Sequence, residues 1–225
     1  MKKFASIITV ITIIAFYTTS IFAQSAKYQA AIGQTLGQFG AAKTAEDYKN
    51  TANAFARIAN AEPTEWLPKY YAAQCRVLAG YSLSETNMDE AQELAKTALA
   101  EIQAAEKLAP METELMALKA FIYQLQLIED PMTNGQKYTP LIFGALGKAE
   151  AINPENPRIY MIRGEFTMNM PEFYGGGVAK ATADIKKAAE KFGTYKVPSP
   201  IHPNWGKEHT ESLMKAVNKA VVTKG

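Results

Sequence analysis

Three places in the chain share one pattern, in which a helical segment ends, a proline follows, and a new segment opens with aromatic or other large residues. These junctions are residues 58–63, 105–110 and 149–154, which close on Pro63, Pro110 and Pro154. Proline has no backbone N–H and its ring clashes with the preceding helical turn, so it ends one helix and leaves the next to start close by. A chain with a proline at each of these junctions is expected to fold as consecutive helices joined by short connections.

Apolar residues recur with the period of a helix along almost the whole chain, and the strict alternation typical of strands is absent. Thr44 with Asp47 has the pattern of a capping box. Residue pairs 139–140 and 156–157 each place a cap residue before a proline at the first helical position. The predicted helices are 25–38, 44–61, 65–83, 88–108, 113–128, 139–152, 157–169, 177–191 and 207–222. The sequence therefore predicts an all-α protein whose neighbouring helices pack as antiparallel pairs.

The three junctions resemble the boundary between successive units of tetratricopeptide repeat (TPR) proteins. In that family, small residues lie five positions before the proline and ten positions after it, where two helices pack closely, and a tyrosine follows the second small residue. These positions are occupied by Ala105 and Ala149, by Ala73, Ala120 and Gly164, and by Tyr123. The resemblance covers residues 26–192 and implies a short right-handed α-solenoid with a C-terminal capping helix.

A second resemblance is more local. Residues 156–188, with the turn Pro171-Glu172-Phe173-Tyr174 and three following glycines, are similar to exported bacterial TPR-like proteins. These include proteins that accompany periplasmic solute-transport systems. The glycines at 175–177 allow two interpretations: a structural turn whose aromatic rings cover the helix junction, or an anion site at the start of the next helix. The turn is favoured because the Lys and Ser or Thr of a P-loop are missing.

The N-terminus has the parts of a secretory signal peptide. Lys2 and Lys3 precede an uncharged, mainly apolar stretch over residues 4–23, and small Ala23 suits cleavage before Gln24. An uncleaved membrane anchor is the alternative. Cleavage would remove two of the 24 basic residues, so the formal charge of +2 would fall to zero. We expect export to the periplasm or beyond, no membrane insertion after cleavage, and no general attraction to nucleic acid.

Few residues offer catalytic or metal chemistry. The lone cysteine, Cys75, lies in an apolar helical stretch and is predicted to be a buried structural residue. The two histidines, His202 and His209, lie near the C-terminus without the spacing of a metal site, and no nucleophile elbow is present. The sequence therefore predicts no enzyme activity, no metal and no cofactor. A hydrolase with an atypical site near His202, Trp205 and His209 is the enzymatic alternative.

Recognition by a helical groove is the remaining function class. Carrying the groove positions of the TPR family across, the resemblance implies a binding surface made of Tyr70, Gln74, Phe121, Gln124, Arg158, Met161, Glu165 and Met168. Aromatic, Met and amide groups of this kind suit an extended peptide, or a small apolar ligand with a polar group. If Arg158 points into the groove, it would favour a carboxylate. The competing interpretation makes Phe121, Met161 and Met168 core residues.

Together these patterns predict three segments: a signal peptide at 1–23, a TPR-like helical domain at 24–192, and a proline-rich strap with a capping helix at 193–225. Trp205 is expected to be buried against the last repeat. The predicted function is an exported, non-enzymatic binding or scaffold module for a protein, a peptide or a small ligand. The first alternative is an accessory component of a periplasmic solute-uptake system that binds a small organic acid.

Overall fold

The computed structural model describes residues 26–224, with side chains placed for residues 26–220. The predicted signal peptide and its cleavage site lie outside these residues. The regular secondary structure of the described residues is helical, and they contain no strand. Its elements are α1 (26–41), α2 (Ala45–Ala61), α3 (Leu67–Leu83), α4 (Met88–Leu108), α5 (Thr113–Leu127), α6 (Pro131–Ile152), α7 (Pro157–Asn169), α8 (Val178–Thr194) and α9 (Lys207–Lys224), with a 3₁₀ turn at Glu172–Tyr174.

Local chemistry sets most of these boundaries. The capping box predicted at the start of α2 is confirmed: the Asp47 N–H donates to Thr44 Oγ1 at 3.1 Å, and the Thr44 N–H donates to Asp47 Oδ2 at 3.0 Å. At the start of α7, Asn156 caps the helix and Pro157 occupies its first position. The starts of α2 and α7 are each fixed by groups within a few residues of each other, which is why the sequence predicts them well.

The prediction that the sixth helix begins at residue 139 is wrong, because α6 begins at Pro131. Asp130 supplies the cap, its side chain accepting the Thr133 N–H at 3.2 Å. Pro140 lies inside the helix on an exposed face, where water can bind the carbonyl that proline leaves without a donor. Tyr138 is buried in the core, which holds this extra helical stretch in place.

The helices pack as successive antiparallel pairs, α3 with α4, α5 with α6, and α7 with α8. The first helices of these pairs, α3, α5 and α7, also contact one another in order and form an inner layer. Small residues lie where helices approach closely: Ala73, Ala105, Ala120 and Ala149 are fully buried. This is the all-α, solenoid-like fold that the repeat pattern predicts.

The apolar interior forms two clusters. The first joins residues of α1 to α5, and the second joins residues of α5 to α9. The final helix contributes Leu213 and Val217 to the second cluster and packs on α8, as expected of a capping helix. Cys75 lies in the first cluster, where burial raises the pKa of its thiol, so its predicted structural role is confirmed.

Candidate functional site

The segment that joins α8 to α9, residues 195–206, crosses the inner layer near the beginnings of α3, α5 and α7. We call this segment the strap. Tyr71 Oη donates to the carbonyl of Ile201 at 2.8 Å, Arg158 Nη2 donates to that of Pro203 at 3.0 Å, and Trp205 Nε1 donates to Tyr70 Oη at 2.7 Å. At this level, the chain's own C-terminal segment covers the predicted groove.

Under the strap lies a buried polar group that we call the lower layer, formed by Tyr70, Glu114 and Arg158. Arg158 Nη1 pairs with Glu114 Oε1 at 3.0 Å, and their side chains are 0% and 2% exposed. Asn156 Nδ2 donates to the same carboxylate oxygen at 2.9 Å, and Tyr70 Oη lies 3.4 Å from the other one. Burial raises the pKa of the Glu114 carboxyl, and the charge of Arg158 opposes that rise.

Arg158 has no room for a ligand. Its guanidinium lies 5.2–5.7 Å from the ring centres of Phe192, Tyr195 and Trp205, which enclose it. The interaction with Glu114 already supplies the carboxylate that the sequence analysis expected from a ligand. A small organic acid therefore has no free arginine to bind at this position.

Further along the same three helices, a second group of side chains remains partly open to solvent. We call it the upper layer: Tyr81, Phe121 and Glu165. Phe121 and Glu165 each lie seven residues after their lower-layer counterparts, and Tyr81 lies eleven after Tyr70, so each pair shares a helix face. The Tyr81 and Phe121 rings stack at 4.8 Å, and Tyr81 Oη donates to the Phe121 carbonyl at 3.3 Å.

Trp205 and His209 extend the upper layer from the C-terminal side. The Trp205 ring lies 6.4 Å from that of Phe121 and is half-buried, not fully buried as predicted. His209 Nε2 lies 2.8 Å from Glu165 Oε1, and the histidine side chain is 49% exposed. This hydrogen bond raises the pKa of His209. We name these five residues the aromatic–histidine site.

The structure divides the predicted groove residues between two environments. Tyr70, Gln74, Gln124, Arg158 and Met161 are buried, whereas Phe121, Glu165 and Met168 are half-buried. Met161 belongs to the second core cluster. The assignment of all eight to a binding surface stays a prediction.

The sequence analysis missed the role of Tyr81 and did not connect the C-terminal Trp205 and His209 with the upper layer. The spacing of Tyr81 from Tyr70, close to three full helical turns, is the signal that could have found it. No comparable signal connects Trp205 or His209 with Phe121 and Glu165, because these contacts join distant parts of the chain.

A separate pocket of about 520 Å³ lies where the strap meets the beginnings of α5 and α7. Three carboxylates line it, from Glu112, Glu114 and Glu155, against the cationic side chain of Lys196 and the imidazole of His202. Such an excess of carboxylates does not favour a small organic acid. His202 Nε2 lies 3.9 Å from Glu112 Oε2.

The enzymatic alternative finds no support in the described residues. His202 faces Glu112 and His209 faces Glu165, so the two histidines have different partners. No hydroxyl or thiol forms a hydrogen bond with either ring within residues 26–220. In the same residues, no three His, Cys, Asp or Glu side chains are grouped as metal ligands.

The glycine-rich turn after α7 satisfies its own backbone. Gly175 and Gly177 have φ values of 87° and 96°, which favour glycine. The N–H groups of residues 175, 176 and 177 donate to the carbonyls of Glu172, Pro171 and Thr167, so none of the three is left for an anion. The expected covering role of the rings is wrong, because Phe173 and Tyr174 are 79% and 59% exposed.

No protein-family model matches this chain, and no curated protein matches it. Among solved structures, it is similar to the HusA haemophore from Porphyromonas gingivalis at 25% identity and a TM-score of 0.77, covering 86% of this chain and 94% of that one. A thermophilic TPR protein from Thermus thermophilus is similar at 15% identity and a TM-score of 0.62, covering 86% and 82%. The chain has a TPR-like fold.

The second comparison shows the fold alone, whereas the first also bears on function. The description of the first neighbour as a haemophore indicates a helical binding module, and neither description names an enzyme. Within residues 26–224, none of the helices combines the length and the apolar content that a membrane crossing requires.

Proposed function

We propose that this protein is an exported, non-enzymatic binding protein whose ligand is haem or a related porphyrin. The observation that carries the proposal is the partly open aromatic surface made by Tyr81, Phe121 and Trp205. The similarity to a haemophore over almost the whole of that chain supports the choice of ligand. The basic and apolar start of the sequence supports export, which is tested by whether the mature protein begins at Gln24.

A porphyrin is a flat, largely apolar ring with carboxylates at one edge. Aromatic side chains bury flat apolar surfaces well, and a few polar groups beside them fix the orientation of the ligand. Here the Tyr81 and Phe121 rings are already stacked and nearly parallel, with 24° between their planes. Rings held in this way lose little conformational freedom on binding, which favours affinity.

The strap favours this ligand over an extended peptide. A peptide in the inner groove would need the lower-layer positions, but Tyr70 and Arg158 are fully buried and bonded to the strap. In the upper layer, the open area comes from the half-buried side chains of Tyr81, Phe121 and Trp205. That area suits a compact ligand better than an extended one.

The test is titration of the purified protein with ferric haem and with metal-free protoporphyrin IX, followed by absorbance and by quenching of tryptophan fluorescence. We expect Tyr81→Ala and Phe121→Ala each to weaken binding of both porphyrins about tenfold, or about 1.4 kcal/mol, because each removes one ring of the surface. Phe173→Ala is the matched control, since it removes an exposed ring that is not part of the aromatic–histidine site.

Circular dichroism and thermal unfolding show whether each variant remains folded. If the wild-type protein binds neither porphyrin, the proposed function is wrong. If Phe173→Ala weakens binding as much as Phe121→Ala does, the porphyrin binds elsewhere and the aromatic–histidine site is wrongly assigned.

A further inference from the structure

We propose that His209 binds the iron of a haem held at the aromatic–histidine site, and that Glu165 acts as its positioning residue. This inference rests on the proposed function and adds a specific claim to it. The aromatic rings alone would bind any flat porphyrin, whereas a histidine ligand makes the protein prefer an iron porphyrin to the metal-free ring.

The first observation is the arrangement of the imidazole. His209 lies in the first turn of α9, which begins at Lys207, and is about half exposed. One ring nitrogen is 2.8 Å from the Glu165 carboxylate, and the other has no protein partner among the described residues. Histidines that bind metals usually donate their second N–H to a carboxylate or carbonyl, which fixes the ring and makes the ligating nitrogen more basic. Glu165 and His209 form such a pair.

The second observation is where this pair lies. Glu165 is on α7, next to α5, which carries Phe121, and Trp205 precedes His209 by only four residues. Burial is the main cause of the raised pKa of the Tyr81 hydroxyl. The Glu165 charge raises this pKa further, so the carboxylate is near that hydroxyl. Glu165 thus holds the imidazole on the same group of inner helices that carries Tyr81 and Phe121.

The other histidine of the chain does not meet these conditions. The His202 side chain is only 13% exposed, and its ring is 5.9 Å from that of Trp66. Its Nδ1 is buried without a hydrogen bond, and its Nε2 faces Glu112 at 3.9 Å. The pocket that His202 lines also carries three carboxylates, and these do not favour the carboxylates of a haem.

The binding step is a simple coordination. The neutral His209 ring keeps its proton on the nitrogen that faces Glu165 and donates it to the carboxylate. The lone pair of the other ring nitrogen forms the bond to iron and replaces a water or hydroxide on the metal. The iron keeps its oxidation state, so no oxidant or reductant is needed.

The test compares ferric haem with metal-free protoporphyrin IX on the wild-type protein, His209→Gln, Glu165→Gln and the control Lys207→Gln. Glutamine at 209 keeps a hydrogen-bonding group for Glu165 but is a poor ligand for haem iron. We expect Glu165→Gln to lower haem affinity about tenfold, and His209→Gln to lower it at least as much. Protoporphyrin affinity should fall much less than haem affinity in both variants, because only the haem has an iron for His209 to bind. Lys207→Gln changes an exposed neighbour on α9 and should behave as wild type.

The iron spectrum gives a second readout that a purely structural role would not change. The Soret band of haem bound to the wild-type protein should show histidine ligation, and this signature should be lost in His209→Gln. If His209→Gln does not fold by circular dichroism, the affinity and spectrum of Glu165→Gln decide the question.

Three outcomes would overturn the inference. If the wild-type protein binds both porphyrins equally and His209→Gln binds haem normally, His209 is not an iron ligand, while the proposed function stands. If His209→Gln weakens the binding of both porphyrins to the same extent, the role of His209 is packing. If the wild-type protein binds neither porphyrin, the proposed function fails and the inference fails with it.

Discussion

Gly164 shows how a single residue sets the distance between two helices. A Cβ placed on this glycine would lie 2.7 Å from Ile185 Cγ1 and 3.2 Å from the backbone nitrogen of Ile185. The backbone of α8 cannot move away without disturbing the second core cluster. The resemblance to TPR proteins requires a small residue at this position, and here only hydrogen fits.

Gly164→Ala should therefore destabilise the protein by about 1–3 kcal/mol, because the added methyl group forces α7 and α8 apart. Gly147→Ala is the matched control, since it lies in α6 with no atom within 4 Å of the added Cβ. The control should be neutral or stabilise the helix by up to about 1 kcal/mol. Urea unfolding measures both changes, and equal effects at the two positions would contradict the close contact.

At the scale of elements, α9 is attached to the inner layer by a contact that responds to pH. The hydrogen bond with Glu165 favours the protonated form of His209 and raises its pKa above the usual 6.5. A group whose pKa is raised on folding stabilises the folded state fully below its unfolded pKa, and this contribution is lost as pH rises through the folded pKa. The attachment of α9 to α7 is therefore strongest in mildly acidic solution.

We expect the stability difference between the wild-type protein and His209→Gln to be larger at about pH 5 than at about pH 9. Thermal unfolding of both proteins across this range measures the difference. Lys207→Gln is the control, and its stability relative to the wild-type protein should not change with pH. A difference that does not change with pH would show that this contact does not titrate. Because iron binding needs the neutral ring, acid should also weaken haem binding.

At the scale of the whole molecule, the lower layer connects the two core clusters with the strap. Tyr70 belongs to the first core cluster, while Arg158 contacts Phe192 of the second cluster and the Pro203 carbonyl of the strap. Glu114 bonds to both Tyr70 and Arg158. A buried ion pair of this kind adds little net stability, but losing one partner is costly.

Arg158→Met should lower the free energy of unfolding by about 3–5 kcal/mol, because Glu114 is left as a buried charge without its partner. Adding Glu114→Gln should restore a large part of this loss. The control is Arg163→Met: Arg163 pairs with Glu150 and Asp184 but is 20% exposed, so its partners reach water and the loss is smaller. A double variant as unstable as Arg158→Met alone would contradict this account.

Local interactions explain why much of the fold follows from the sequence. Capping groups, first-turn prolines and apolar periodicity act within about one turn of helix, so the boundaries of α2, α4 and α7 agree with prediction. The sixth helix shows the limit of such reasoning. The cap–proline pair at 139–140 predicted its start, but Asp130 caps the helix earlier in the chain, and the burial of Tyr138, a tertiary contact, holds the added turns in place.

The site depended on packing between distant parts of the chain. The sequence by itself determined the helices that carry Tyr70, Phe121, Arg158 and Glu165, and the resemblance to TPR proteins implied that these side chains lie on the inner faces. Only the tertiary structure decided which of them the strap covers. The hydrogen bond from Trp205 to Tyr70 joins residues 135 positions apart, and that between His209 and Glu165 joins residues 44 apart. Contacts at such separations form when apolar helices and their connecting strap pack together, and no local pattern in the sequence records them.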